Sequence, residues 1–270
     1  MNSGAIGIFD SGIGGLTVAA AVRQMLPNES TIYIGDTARV PYGPKSPDTV
    51  RRYAREILDW LLHQDVKAIV VACNTVSAHA LDDLRTRSPV PVLGVIEPGA
   101  RAAAHATATN NVGVIGTAGT IASGAYRLAL QRISSTMRVV EQACPLFVPL
   151  VEEGWLDHEA TRLVAEEYLR PLRSHGIDVL VLGCTHYPML KPLLGEVMGP
   201  GVKLIDSAEA TATELARVLN EMGLVAPARS ALSQRWVATD DPARFAKVGA
   251  VFMSGSPAPV ELAELGKLDA

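Results

Sequence analysis

The sequence predicts an α/β protein built from two similar halves, each with a mainly parallel sheet, that face each other across a cleft. Two observations support this prediction. Short apolar runs alternate with amphipathic stretches along nearly all of the 270 residues, which is typical of parallel strands covered by helices. Two sequence elements also recur in the same order at nearly the same spacing, which indicates a duplication.

Eight apolar runs are predicted to be buried strands. Their shortness and their lack of alternation favour parallel strands covered on both faces. Residues 49–62 place apolar side chains at helical spacing, which predicts a helix lying on a sheet. In this arrangement functional residues collect at the carboxyl ends of the strands. The predicted strands are Ala5–Phe9, Thr31–Gly35, Ala68–Cys73, Pro91–Ile96, Asn111–Gly116, Met137–Ala143, Asp178–Cys184 and Val202–Asp206.

The internal repeat is the evidence for two halves. The segment IGIFDSGIGG from Ile6 resembles VGVIGTAGTI from Val112, and AIVVACNTVSAHAL around Cys73 resembles VLVLGCTHYPML around Cys184. The first pair is displaced by 106 residues, from 6 to 112, and the second by 111, from 73 to 184. Two similarities in register indicate duplicated α/β halves whose related residues meet across an interface.

Composition and charge exclude several classes of protein. Hydrophobic residues make up 48% of the chain and charged residues 19%, which is ordinary for a folded protein. The net charge of −4 offers no basic field, so we expect no nucleic-acid and no membrane partner. The N-terminus lacks a signal-peptide pattern, no apolar run reaches bilayer length, and the three cysteines are too few for a disulfide framework. A cytoplasmic location is therefore predicted.

Cys73 and Cys184 are the strongest candidates for chemistry. Each ends a very apolar strand and precedes polar residues and a predicted helix. A thiol at a helix N-terminus is expected to have a lowered pKa, since the helix dipole favours the thiolate. Either cysteine alone is more simply a buried apolar residue, as we expect for Cys144, but their matched positions favour a function. No CxxC-like spacing occurs, so no metal is expected.

Three further segments place polar groups near the predicted cleft. The segment Asp10–Gly15 (DSGIGG) follows the first strand and opens a helix, a position that favours an anionic ligand, although capping of that helix is an alternative role for Asp10. The loop with Tyr42 and Gly43 can offer a hydroxyl and an amide, and Glu152 can offer a carboxylate. The alternative for Tyr42 and Gly43 is that they are ordinary turn-forming residues of a loop. The alternative for Glu152 is an exposed position at the end of a helix.

Two reaction types are open to the cysteines. Together with His186, one cysteine could catalyse acyl transfer, but a hydrolase leaves the second cysteine and the duplication unexplained. Two acid/base groups on opposite faces of one carbon explain both features, because one thiol removes a proton while the other delivers one to the reverse face. This arrangement predicts inversion of a stereocentre, with Asp10 and His186 assisting the proton transfers.

Six separated motifs occur in a fixed order: IGIFDSGIGGLTV, YIGDTARVPYGPKS, VVACNTVSAHAL, VGVIGTAGTIASGAY, CPLFVPLVEEGW and VLGCTHYPML. Together they resemble the glutamate racemases of the aspartate/glutamate racemase family. The resemblance runs from about residue 6 to residue 213, and the last fifty or so residues carry little of it. It implies a cofactor-independent interconversion of L- and D-glutamate that supplies D-glutamate for peptidoglycan synthesis.

The resemblance also implies roles for individual residues. Cys73 and Cys184 are implied as the two acid/base thiols, assisted by Asp10, Glu152 and His186. No pyridoxal phosphate or other cofactor is implied. The implied substrate-binding positions are Asp10, Ser11, Tyr42, Gly43, Asn74, Thr75, Thr185 and His186.

The domain organisation follows from the same resemblance. It implies two α/β domains related by a pseudo-twofold axis, the first formed by 1–97 plus 207–270 and the second by 98–206, with the active site in the cleft between them. Members of the family are frequently homodimers, so a homodimer is expected. The alternatives are a racemase for aspartate or a hydantoin, a thiol hydrolase, and an amino-acid-binding module without catalysis.

Overall fold

The protein is described by a computed structural model over residues 4–227, 232–253, 255 and 259–266. Strands and helices alternate through most of these residues. The strands are β1 (Ala5–Asp10), β2 (Thr31–Gly35), β3 (Val66–Val71), β4 (Val92–Gly94), β5 (Asn111–Gly116), β6 (Arg138–Ala143), β7 (Val179–Gly183), β8 (Lys203–Asp206), β9 (Gln234–Ala238) and β10 (Val260–Leu262). The helices are α1 (Leu16–Met25), α2 (Pro47–Leu62), α3 (Asn74–His79), α4 (Leu81–Arg87), α5 (Ile96–Ala106), α6 (Ala118–Ser123), α7 (Ala125–Ile133), α8 (Phe147–Glu152), α9 (Glu159–Ser174), α10 (Lys191–Met198), α11 (Ala208–Glu221) and α12 (Pro242–Met253), with a 3₁₀ turn at Tyr187–Leu190.

The strands form two parallel sheets that repeat one topology. The first sheet has six strands in the order β10-β9-β2-β1-β3-β4, and the second has four in the order β6-β5-β7-β8. The order β2-β1-β3-β4 therefore recurs four strands later. The register recurs as well, because Ile8 pairs with Val70 and Val114 pairs with Val181. The partners are again displaced by 106 and 111 residues, so the predicted duplication is present in the strand pairing.

Helices cover both faces of each sheet. In the first half α1, α11 and α12 lie on the face that carries Ile8, and α2 lies on the face that carries Phe9. The apolar core on the α1 face continues into the second sheet, where it includes Ile115 and Leu182. The predicted helix over 49–62 is α2; it begins two residues earlier, where the hydroxyl of Ser46 accepts a hydrogen bond from the backbone N–H of Thr49.

The eight predicted strands are all present, with some different limits. β3 ends at Val71, so Cys73 lies in the turn after the strand, and β4 ends at Gly94 before α5 begins. The sequence analysis missed β9 and β10, which extend the first sheet beyond β2. β10 is the edge strand, and β9 lies between it and β2. Each carries charged or polar residues, and Arg235 of β9 forms an ion pair with Glu261 of β10 at 2.7 Å. Such strands lack the apolar run by which the others were predicted.

Two connections join the halves. The chain passes from the first sheet to the second through α5, and it returns after β8 into α11, which packs on α1. The predicted domain limits, 1–97 plus 207–270 and 98–206, stay a prediction. None of the helices in the described part of the chain is both long and apolar enough to cross a membrane.

Candidate active site

A narrow cavity lies where the carboxyl ends of strands from both sheets meet. Its volume is about 30 Å³, which is room for about two water molecules. The first half contributes the turns after β1, β2 and β3, and the second half contributes those after β5 and β7 together with α8. The cavity is lined by Ser11, Val40, Pro41, Tyr42, Gly43, Cys73, Asn74, Thr75, Thr117, Val148, Cys184, Thr185 and His186.

A glycine allows the two halves to approach this closely. A Cβ atom on Gly14 would lie 2.4 Å from the Oγ1 of Thr185 and 2.5 Å from the Nδ1 of His186. The hydroxyl of Thr17 also donates a hydrogen bond across the interface to the carbonyl oxygen of Thr185, at 3.4 Å. The turn after β1 is therefore in direct contact with the turn after β7, and only glycine fits at position 14.

Cys73 is a buried thiol at the start of α3. Its Sγ donates a hydrogen bond to the Oγ of Ser11 at 3.5 Å. Burial, and after it the charge of Asp10, raises the pKa of the Cys73 thiol to about 12, although the Ser11 bond and the backbone N–H of Val76 lower it. The prediction that the helix N-terminus lowers the pKa of this thiol is therefore wrong, because the loss of hydration outweighs the amide contribution.

Cys184 belongs to a chain of three side chains in the second half. Its Sγ lies 3.9 Å from the Nδ1 of His186, and the Nε2 of His186 lies 3.1 Å from the Oε1 of Glu152. Burial alone lowers the pKa of His186, but its bonds to Cys184 and Glu152 and the charges of Cys184 and Asp10 together raise it to about 10. The raised pKa favours the imidazolium form of His186 when Cys184 is a thiolate.

The helix that was predicted to begin directly after Cys184 does not do so. Thr185 and His186 form an irregular turn, which continues as the 3₁₀ turn Tyr187–Leu190 before α10 begins. The cation next to Cys184 is thus the imidazolium of His186, held by Glu152. Burial raises the pKa of Glu152 but the hydrogen bond and charge of His186, with the charge of Arg244, outweigh it and leave the pKa lowered.

Asp10 lies beneath the cavity and is fully buried at the end of β1. Its Oδ2 accepts a hydrogen bond from the backbone N–H of Gly12 at 3.1 Å, and its Oδ1 has no hydrogen-bond partner among the described residues. Burial raises the pKa of Asp10, against the opposing charge of His186 and the surrounding amides. Helix α1 begins only at Leu16, so Asp10 is not its cap. Its charge acts on both Cys73 and His186.

A triangle of threonine hydroxyls connects the halves beside the cavity. The Oγ1 of Thr75 lies 2.9 Å from that of Thr117 and 3.3 Å from that of Thr120, and the last two are 3.0 Å apart. The sequence analysis did not single out Thr117 or Thr120. The internal repeat could have predicted Thr117, because the displacement of 106 residues relates it to Ser11. Both residues line the cavity.

Tyr42 is anchored by a buried carboxylate. Its hydroxyl donates to Asp36, which is fully buried and also accepts hydrogen bonds from Arg39 at 2.6 Å and from the hydroxyl of Thr239 at 2.9 Å. The proton of the Tyr42 hydroxyl is therefore already donated to Asp36, and this bond holds the loop with Gly43 against the first sheet. Sequence reasoning missed Asp36, which a single acidic residue in a loop does not reveal.

The C-terminal part of the chain reaches the site through α12. The ring of Phe252 contacts the ring of His186 edge-on, with centroids 5.5 Å apart. The Nη2 of Arg244 lies 4.0 Å from the Oε2 of Glu152. Helix α12 therefore packs against both members of the pair that accompanies Cys184, although the sequence offered no role for this segment.

Cys144, the third cysteine, is fully buried and does not line the cavity. Its Sγ donates a hydrogen bond to the carbonyl oxygen of Gln142 at 3.6 Å. The expectation that it behaves as a small apolar residue agrees with this position. Within the described ranges, no three His, Cys, Asp or Glu side chains come together as metal ligands.

Comparisons with known proteins agree with the fold and the motifs. The family model described as Asp/Glu/Hydantoin racemase matches residues 16–215. A glutamate racemase of Geobacter metallireducens is 55% identical over 251 residues, which cover 93% of each chain. Among solved structures, a glutamate racemase isoform of Bacillus anthracis has a TM-score of 0.94 at 38% identity, and the Francisella tularensis glutamate racemase in complex with D-glutamate has 0.92 at 38%. Each alignment covers 98% of both chains.

The fold and these matches define an isomerase of the racemase class. The chain belongs to the Asp/Glu/Hydantoin racemase family. The predicted fold class and the predicted family membership are both confirmed. The roles of the individual site residues stay predictions.

We predict that Gly14→Ala strongly impairs racemase activity. The added methyl group must displace Thr185 and His186, and misplacement of a catalytic group by about 1 Å costs roughly 100-fold in rate. We therefore expect kcat/KM to fall about 100-fold. Gly195→Ala is the matched control, because a Cβ there meets only Leu204, at 3.8 Å. Wild-type kinetics in Gly14→Ala would show that the halves do not pack closely at this point.

Proposed function

We propose that this chain interconverts L- and D-glutamate, with Cys73 and Cys184 as acid and base on opposite faces of the α-carbon. One observation carries the proposal: two thiols, presented by two duplicated halves, line the same cavity. A single nucleophile would need only one of them. The relatives named glutamate racemase, and the complex of one of them with D-glutamate, support glutamate as the substrate.

The charges around the two thiols support unequal protonation. With its pKa raised to about 12, Cys73 holds its proton at neutral pH. A thiolate at Cys184 is stabilised by the adjacent imidazolium of His186, which Glu152 holds in place. This is the thiol and thiolate combination that a two-base mechanism needs when a substrate molecule arrives.

The proton transfers then proceed in opposite directions across the substrate. The Cys184 thiolate takes the α-proton, so that a C–H bond breaks and an S–H bond forms. The Cys73 thiol delivers its proton to the other face, where a new C–H bond forms. Cys184 is then the thiol and Cys73 the thiolate. The opposite enantiomer reacts with the enzyme in this form.

Hydrogen-bond donors around the cavity are placed to stabilise the intermediate. Loss of the α-proton moves negative charge onto the substrate carboxylate, which is the difficult step without an electron sink. The amide of Asn74 and the hydroxyls of Thr75, Thr117 and Thr185 border the cavity. We propose that they, with Ser11, bind the carboxylate and amino groups. The cavity of about 30 Å³ adjoins a second one of about 330 Å³, which shares Val40, Pro41, Gly43, Thr117 and Val148 with it.

The remaining expectations from the resemblance belong to this proposal. The enzyme would work without pyridoxal phosphate, in the cytoplasm, as a homodimer, and its D-glutamate would supply peptidoglycan synthesis. The two domains would be 1–97 plus 207–270 and 98–206. Domain closure would then bring Cys73 and Cys184 to one substrate.

The reaction and its substrate are tested together in deuterated water. L-glutamate incubated with the enzyme is expected to yield D-glutamate that carries deuterium at the α-carbon, measured by chiral chromatography and mass spectrometry. Absence of turnover would overturn the proposal. Glutamate bound without exchange would indicate a binding module, and faster turnover of aspartate or a hydantoin would indicate another substrate.

Single cysteine variants test the two-base mechanism in the same assay. We expect Cys73→Ser and Cys184→Ser each to abolish racemisation, because a serine hydroxyl is a far weaker acid than a thiol. Cys144→Ser is the control, since Cys144 is buried away from the cavity. A thiol hydrolase would instead keep activity after loss of one cysteine and would form a trapped acyl-cysteine.

The pH dependence reports the role of Glu152. His186 is protonated below about pH 10 and loses its charge above it, so kcat/KM of the wild type should fall as the pH rises through this value. Because the bond to Glu152 raises the pKa of His186, Glu152→Gln should move this alkaline decline to lower pH. Glu153→Gln removes a neighbouring exposed charge and should leave the profile in place. An unmoved profile in Glu152→Gln would contradict the assignment.

A further inference from the structure

Tyr126 is a buried residue of the second half that touches the first. It lies at the start of α7 and is about 1% exposed, and it does not line the cavity. Its hydroxyl donates a hydrogen bond of 2.7 Å to the Oδ1 of Asn74, which follows Cys73 in the first half. None of the proton transfers described above uses this contact.

The same bond determines how Asn74 faces the cavity. Asn74 is about 3% exposed and borders the cavity, and its Nδ2 has no hydrogen-bond partner within the part of the chain that the structure describes. A buried amide N–H without a hydrogen-bond acceptor destabilises the folded protein, and a bound ligand can supply that acceptor. Tyr126 donates to Oδ1 of Asn74, and its own oxygen already accepts a hydrogen bond from Ser207, so this arrangement favours Oδ1 towards Tyr126 and leaves Nδ2 for a ligand.

The ring of Tyr126 is itself held on the second half. A Cβ atom on Gly183 would lie 3.0 Å from the ring, so the missing side chain lets the ring rest on the strand that leads to Cys184. Ser207, at the point where the chain returns to the first half, also forms a hydrogen bond with Tyr126. The ring is therefore fixed relative to Cys184, while its hydroxyl fixes Asn74 beside Cys73.

We infer that Tyr126 is a positioning residue: it holds the Asn74 amide so that Nδ2 donates to the carboxylate of the substrate when the two halves are together. The inference rests on the proposed function for the identity of that substrate. Tyr126 thus links substrate binding on the first half to the placement of the second, because its ring is held on the second half and its hydroxyl bonds to Asn74 of the first.

Tyr126→Phe tests the inference, since it removes one oxygen atom and keeps the ring. Without the hydroxyl the Asn74 amide loses its fixed orientation, and a buried acceptor is left unpaired. We expect the KM for glutamate, and its Kd measured by calorimetry, to rise about 10-fold. We expect kcat to fall as well, because the Asn74 amide is also placed to stabilise the charge that develops on the substrate carboxylate.

A double-mutant cycle separates positioning from general stability. In an Asn74→Ala background the hydroxyl has no amide to hold, so adding Tyr126→Phe should change the Kd for glutamate less than about twofold. Equal effects of Tyr126→Phe in both backgrounds would overturn the inference. Tyr187→Phe is the matched control, because it deletes an equally buried hydroxyl that donates to the carbonyl oxygen of Cys144 at 2.8 Å and lies outside the cavity.

The wild-type protein distinguishes the two proposals. If it binds glutamate without racemising it, the proposed function fails and the Kd comparison still decides the role of Tyr126. If it racemises glutamate and Tyr126→Phe has the wild-type KM and Kd, only the positioning role is overturned. If it binds no glutamate at all, both fail.

Discussion

The two halves can share one cavity because Gly14 has no side chain. Parallel strands bring their carboxyl ends to one edge of each sheet, but two such edges form a common site only if the turns after them can touch. The turn after β1 lies against Thr185 and His186 at a separation that a methyl group would occupy. Asp10 and Cys73 are also buried at this junction, and burial raises the pKa of both.

The two sheets repeat one strand order, but the side chains that they bring to the cavity differ between the halves. A displacement of 111 residues relates Cys73 to Cys184 and Thr75 to His186, while a displacement of 106 relates Asp10 to Gly116. At these equivalent positions the first half therefore has the carboxyl group of Asp10 and the second has the imidazole of His186. Identical thiols thus occupy different electrostatic surroundings, as exchange of a proton between two sides requires.

The sequence was informative wherever a local pattern determined the structure. Apolar runs located eight strands, and the repeat identified the two cysteines that line the cavity. It was uninformative where the cause lies far away in the chain. The partners of Tyr42 and Asn74, namely Asp36 and Tyr126, are ordinary residues until the fold brings them together. The predicted lowering of the Cys73 pKa was wrong for the same reason, since a helix start is visible in a sequence and the depth of burial is not.

The central claim, that the two cysteines act from opposite faces of one carbon, is tested most directly by a crystal structure of the Cys184→Ser variant with glutamate bound. The account predicts the Sγ of Cys73 and the Oγ of the serine on opposite sides of the α-carbon, each about 3.5 Å from it. Both atoms on the same side of the α-carbon, or one of them remote from it, would contradict the account.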